Sequence, residues 1–131
     1  MRNNKFRGMQ IGTDDFVYGY YFQNLGGHFI LCGTFNGMPN MIEVYGNTVG
    51  QFTGLPDRND KNICEGDIVE GEKYSGKPGI YNNHTGVVKF RHESFSSFGI
   101  NQYKGQEAKM NSLFEIIGNI YGNPELLEVT K

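Results

Sequence analysis

Residues 16–32 read FVYGYYFQNLGGHFILC. Two runs rich in aromatic and β-branched residues flank Asn24-Leu25-Gly26-Gly27. Adjacent glycines reach positive φ at little cost, so this stretch predicts a β-hairpin turning at those four residues. The same grammar continues outward in both directions. KFRGMQ (5–10) reads as a short strand ending before Asp14-Asp15. Asn36-Gly37 marks a second turn, and Pro39 speaks against a central strand there. MIEVYG (41–46) is a further short strand, and NTVGQFTGL (47–55) alternates small and apolar residues. Pro56-Asp57-Arg58-Asn59-Asp60 is a strong turn signal.

The second half of the chain continues in short segments. NICEGDIVEGE (62–72) offers Ile63, Ile68 and Val69 to a core. Residues 73–86, with Gly76, Pro78, Gly79 and Asn82-Asn83, read as a long loop or a loose hairpin tip. GVVKFRH (86–92) predicts a strand with Val88 and Phe90 on one face and Lys89 and Arg91 on the other. Residues 93–111 are polar, with Phe95, Phe98, Ile100 and Tyr103 embedded. They read as a strand pair or a loop, and mobility is expected, because long loops are usually functional or disordered. SLFEIIGNIYG (112–122) is a β run. Asn123-Pro124-Glu125 carries helix-start chemistry, so a short terminal helix, ELLEV, is expected after it.

Composition narrows the function classes. Ten Phe and eight Tyr supply bulky apolar surface, which a disordered chain lacks. The 19 glycines of 131 residues are about twice the ~7% average, and their scatter speaks for many tight turns. A net charge of -2 lacks the basic excess that drives general nucleic-acid binding, which leaves only a local patch. Cys32 and Cys64 form no CxxC pair and are expected to stay unbridged, as cytosolic thiols do. No signal peptide is visible, and no stretch approaches the ~20 apolar residues of a membrane span, so no membrane partner is expected.

Three segments carry a family resemblance: KFRGMQ followed by VYG, NTVGQFTGLPDRNDKNICEGDIVEG (47–71), and FEIIGNIYGNPELL (114–127). With them the chain resembles the YopX family of phage and prophage proteins. The resemblance implies a mostly-β fold, a phage or prophage origin and a place in the host bacterial cytoplasm. It implies no activity. Its landmarks here are Gly50, Gln51, Phe52, Thr53, Gly54, Leu55, Glu65, Gly66, Asp67, Gly118 and Asn119, all read as structural. Asp60 stands where the family's turn ends in glycine. It is expected to take a left-handed φ, which Asp tolerates better than most residues. Cys64 stands where the family tends to have a large residue.

Each candidate site has a plainer reading beside it. Glu65 and Asp67 would share a face within one strand, and two close carboxylates can divide acid and base work. The plainer reading is a turn cap. Gly50 and Gly54 around Gln51, Phe52 and Thr53 allow a ligand or another backbone to approach closely, and packing around a core Phe52 is favoured. His28, His84 and His92 lack any metal-ligand spacing, and no nucleophile elbow, phosphate loop or dinucleotide fingerprint occurs. Lys89, Arg91, His92 and Phe95 could hold phosphates beside stacked bases; an amphipathic strand's solvated face explains them equally well.

The expectation is therefore one mostly-β YopX-like domain over residues 1–131, with two β subdomains (about 1–55 and 56–131) left open. In it an N-terminal β region packs on an SH3-like small β-barrel and a short helix closes the chain. Its expected function is a non-catalytic binding module for a host or phage protein, without metal or cofactor. The rivals are a single-stranded nucleic-acid binder using strand 86–92 and an enzyme with a site near Glu65 and Asp67. Exposed strand edges leave homo-oligomers open.

Overall fold

The computed structural model describes residues 5–91 and 93–127, apart from the side chain of Phe35. The chain is mostly strand and divides into two compact units, residues 1–52 and 53–131.

The first unit is an antiparallel sheet. It contains β1 (Phe6–Met9), β2 (Phe16–Asn24), β3 (Gly27–Phe35), β4 (Met38–Val44) and the start of β5 (Gly50–Pro56), in the order β4-β3-β2-β1-β5. The hairpin read at Asn24–Gly27 is present, and the turn read at Asn36-Gly37 closes a second hairpin. Asn24 pairs with Gly27, leaving Leu25 at φ 50 and Gly26 at φ 82 as the two turn residues. Phe35 pairs with Met38, around Asn36 at φ 51 and Gly37 at φ 76. Two central residues with positive φ twist a hairpin the way its strands twist. Pro39 lies in β4, the outermost strand of the sheet, where a missing N–H costs no ladder bond.

Side-chain alternation sorts the faces of this sheet. Tyr21, Ile30 and Ile42 form one cross-strand row, and His28 faces Val44 beside it. Ile30 and Val44 are fully shielded from solvent. The Tyr21 hydroxyl lies 2.6 Å from His28 Nδ1, with the two rings parallel. Thr48, in a 3-10 turn at Gly46–Thr48, accepts the Met9 N–H and donates to the Tyr45 carbonyl. These bonds tie the turn to β1.

In the second unit the end of β5 runs beside β6 (Asn62–Cys64), where the Thr53 hydroxyl donates to the Ile63 carbonyl at 2.9 Å. A second antiparallel sheet follows: β7 (Asp67–Tyr74), β8 (Tyr81–Arg91), β9 (Ser94–Gly99), β10 (Glu107–Lys109) and β11 (Glu115–Asn119), in the order β10-β9-β8-β7-β11. Its core gathers Ile63, Val69, Val88, Ala108 and Phe114, with Phe95, Met110 and Ile116 packed against them.

Several expectations need correction. The SH3-like barrel is not closed: the described strands form two open sheets, and β10 and β11 end as outer strands. β10 has three residues and β11 is interrupted by an irregularity between Ile116 and Gly118, so neither offers a long ladder for closure. The segment 73–86 is mostly strand, because β7 and β8 stay paired out to Tyr74 and Tyr81. Of the two readings of 93–111, the strand pair holds: the segment is folded into β9, a 3-10 turn at Asn101–Tyr103 and β10, which pairs with β9. Its serines do not mark a loop: Ser96 and Ser97 are buried within the ladder. The terminal helix is a 3-10 turn at Pro124–Leu127, and the rest of ELLEV lies outside the described residues. Phe90 does share a face with Val88, but it is 48% exposed because it sits near the end of β8.

Candidate functional site

Asp67 opens β7 and is 2% exposed, and its Oδ2 accepts the Cys64 N–H at 2.8 Å. Glu65 and Gly66 form the turn between β6 and β7, with Gly66 at φ 94. The two carboxylates therefore do not line one strand face, contrary to the spacing argument. Asp57 plays a larger part than its neighbours suggested. It is 4% exposed, and it accepts the N–H groups of Asn59 at 2.9 Å, Lys61 at 2.8 Å and Ile116 at 3.1 Å. Burial alone would raise its pKa. The N–H donors of Ile116, Lys61 and Asn59, with the charge of Lys61, outweigh burial and hold the carboxyl below its ordinary value. The Asp-x-Asn spacing within the turn was the signal available for this role. Asp60 ends that turn at φ 66.

The remaining landmarks are turn and packing positions. Gly50 and Gln51 pair with Arg7 and Phe6 on β1. Phe52 is nearly buried, with its ring centroid 5.8 Å from that of Tyr18. Gly54 has φ 82 and Leu55 is exposed. A Cβ on Gly118 would lie 2.6 Å from Asn123 Oδ1, the atom that accepts the Asn119 N–H. Asn119 Oδ1 in turn accepts the N–H groups of Tyr121 and Gly122.

Lys89 and Arg91 are exposed and stand over the Phe98 ring, at 5.9 Å and 5.1 Å from its centroid. Phe95 is on the opposite face, edge-on to Phe90 at 4.9 Å. Phe98, not Phe95, is the aromatic beneath the cations. His92 lies outside the described residues.

Two further features escaped the sequence reading. The first is a polar cleft of about 350 Å³ lined by Arg58, Glu70, Glu72, Asn83, His84 and Tyr103, among others. His84 is 1% exposed. Its Nε2 lies 2.9 Å from Ser97 Oγ, its ring packs near Phe114 and Tyr103, and its Nδ1 has no hydrogen-bond partner. Burial and the charge of Lys73 lower its pKa, against the opposing effect of the Ser97 bond. Arg58 is ion-paired with Glu115. Neither Glu65 nor Asp67 lines this cleft. No group of three or more His, Cys, Asp or Glu placed to hold a metal occurs among the described residues.

The second feature is the outer face of the first unit, where Tyr20, Leu31 and Met41 form one cross-strand row. Phe22 stacks on Phe29 in the next row. Tyr18, Tyr20 and Met41 are each more than half exposed, at 52%, 59% and 58%. A single offset row is visible in the alternation of YGYYF, but nothing in the sequence tells which side of it faces solvent. No helix among the described residues is long and apolar enough to cross a membrane.

Short antiparallel strands, glycine-rich turns and two open sheets define a mostly-β protein. The family model described as YopX protein matches residues 16–128, and the chain belongs to the YopX family. Among solved structures, protein EF1440 from Enterococcus faecalis is similar in fold. It has a TM-score of 0.51 and 21% identity, covering 95% of this chain and 97% of that one. No curated protein matches the chain.

Proposed function

We propose that this chain is a non-catalytic binding module of phage or prophage origin, acting on a host or phage protein in the bacterial cytoplasm. One observation carries the reading: the exposed face around Tyr18, Tyr20 and Met41, which reaches the outermost strand β4. Tyr and Met are enriched in protein interfaces, and a contiguous exposed apolar face marks an interaction surface more often than a random one does. Tyr offers large contact area at low conformational cost, and Met adapts to irregular partner surfaces. An enzyme centred on Glu65 and Asp67 is the weaker reading, because Asp67 is buried and engaged by the Cys64 N–H.

The test is affinity capture from lysogenic or infected cells with the wild type and a Tyr20→Glu, Met41→Glu double variant. Both positions are exposed, so circular dichroism is expected to be unchanged. The proposal expects one or a few proteins retained by the wild type and lost by the variant. An identical set of captured proteins from both chains would overturn the assignment of this face.

A further inference from the structure

The His84 ring is sealed where the second unit's sheet narrows. β9 ends at Gly99, and the last pair it makes with β8 is Gly99 with Gly86. The stretch of β8 that carries His84 therefore keeps β7 as its ladder neighbour, and other segments supply the cover. The Phe114 and Tyr103 ring centroids lie 5.8 Å and 6.1 Å from that of His84. Nε2 is 2.9 Å from Ser97 Oγ, in the space that Gly86 leaves open: a Cβ there would lie 2.8 Å from Nε2 and against the serine hydroxyl. Nδ1 is buried without a hydrogen-bond partner.

A neutral imidazole has one donor and one acceptor nitrogen, whereas an imidazolium has two donors. Protonation therefore leaves Nδ1 as a buried N–H with nothing to receive it, on a ring that has gained a charge. The neighbours offer no relief among the described residues. On β7, Gly71 lies opposite His84 and brings no side chain, and Lys73 adds a repelling positive charge. Glu70 and Glu72 flank Gly71 and point to the other face of the strand. On β10, Ala108 lies opposite Ser97, while its neighbours Glu107 and Lys109 point the other way. Arg58 donates its backbone N–H to the Phe114 carbonyl, and its side chain pairs with Glu115. Lys104, after Tyr103, is exposed. Strand alternation thus brings no carboxylate to the ring's side.

Of the two rings over His84, that of Tyr103 is the easier to lift. Phe114 is fully buried and belongs to the core cluster. Tyr103 is part-exposed and sits in a 3-10 turn of three residues. The Tyr103 and Gln106 N–H groups donate within the turn, to the Ile100 and Tyr103 carbonyls, and the Ile100 N–H ties it to the Thr85 carbonyl on β8. The strand that follows, β10, has three residues. Segments with few buried contacts and short ladders open before the rest of a structure does.

We propose that His84 is a pH-sensitive latch for residues 100–106: the neutral ring packs beneath Tyr103, and the protonated ring displaces that turn from the sheet. Lifting the turn gives Nδ1 access to water and widens the polar cleft that Tyr103 lines. Buried histidines that switch interfaces in acid work by the same charge change. This device lies within the second unit and does not rest on the binding face of the first.

The experiment is amide hydrogen exchange of the full chain, corrected for intrinsic rates, at about pH 7.5 and about pH 5, on either side of the ordinary histidine value. Small additions of urea separate a local opening from unfolding, because sensitivity to urea scales with the surface exposed. Protection at Ile100, Tyr103 and Gln106 should fall about tenfold or more on acidification, through an opening that urea barely changes. The Gly66 and Ile120 amides, bonded to the Val88 and Gly66 carbonyls, should exchange only through a urea-sensitive opening. His84→Gln should abolish the fall at the turn. Lys73→Gln, at a part-exposed position, keeps the latch but removes the repelling charge. Protonation of the closed state is then easier, so the fall should be smaller and end at a higher pH. The latch is overturned if the three turn amides lose protection only through the urea-sensitive opening. It is also overturned if the fall persists unchanged in His84→Gln or, should that variant not fold, in Lys73→Gln.

Discussion

The Asp67 carboxylate reaches back over the Glu65–Gly66 turn to accept the Cys64 N–H at 2.8 Å. This bond sits where the chain leaves β6 and enters β7, which belong to different sheets. A carboxylate is a stronger acceptor than an amide, so Asp67→Asn is expected to lose about 1–2 kcal/mol of stability. Urea unfolding measures it. A midpoint equal to the wild type's would show that the bond holds nothing and would reopen a functional role for Asp67.

Asp57 gives an acid-limb prediction. Its pKa is depressed in the folded chain because backbone donors from Asn59, Lys61 and Ile116, with the charge of Lys61, outweigh its burial. A carboxyl depressed by folding stabilises fully above its unfolded value of about 3.9, and that contribution disappears as pH falls through the lower folded value. Asp57→Asn should therefore be less stable than wild type at neutral pH by about 1–3 kcal/mol, with the gap narrowing below about pH 4. Parallel stability curves for the two proteins down to acid would refute this role.

Much of the β architecture was legible because turns announce themselves locally. Asn24 to Gly27 and Asn36-Gly37 form the hairpins their residues demand, and Asp60 takes the positive φ that a missing glycine required. What the sequence hid was long-range. Ser96 and Ser97 look like loop residues, yet they are buried because β8 and β10 pair on either side of β9. Phe95 and Phe98 both follow the basic strand, and only the register decides that Phe98 lies under Lys89 and Arg91. Asp57 was visible as a turn residue, but its bond to the Ile116 N–H joins positions 59 residues apart, which no local pattern encodes.

His84 sets a second pH window, closer to neutrality. Its ring is 1% exposed and surrounded by Ser97, Tyr103 and Phe114, with Lys73 repelling a second positive charge. Glu70, Glu72 and Arg58 line the same cleft. Its folded pKa is lowered, so the unfolded chain binds the proton more readily. Stability is then complete above the unfolded value of about 6.5 and falls as pH drops below it, until the folded value is reached. Replacing the ring with a group that does not titrate, His84→Gln, should flatten urea midpoints below about pH 6.5, whatever it does to stability at neutral pH. A slope in the variant equal to that of wild type would assign the window to another group.

The two thiols should differ in reactivity without ever joining. Cys32 and Cys64 are both free. Cys64 is fully buried, so reagent reaches it only when the chain opens. Cys32 is half-buried, and burial raises its pKa, against the opposing effect of a backbone hydrogen bond from Tyr18. The thiolate is the nucleophile, so a raised pKa slows even the thiol that reagent can reach. Folded protein at neutral pH should therefore react with a thiol-specific dye slowly and at Cys32 first, and a Cys32→Ser variant should be almost silent. In denaturant, without reductant, both thiols should titrate at once. Recovery of fewer than the two cysteines of the sequence under those conditions would mean a bridge had formed. Fast labelling of Cys64 in folded Cys32→Ser protein would instead mean that the segment around β6 opens far more readily than its burial implies.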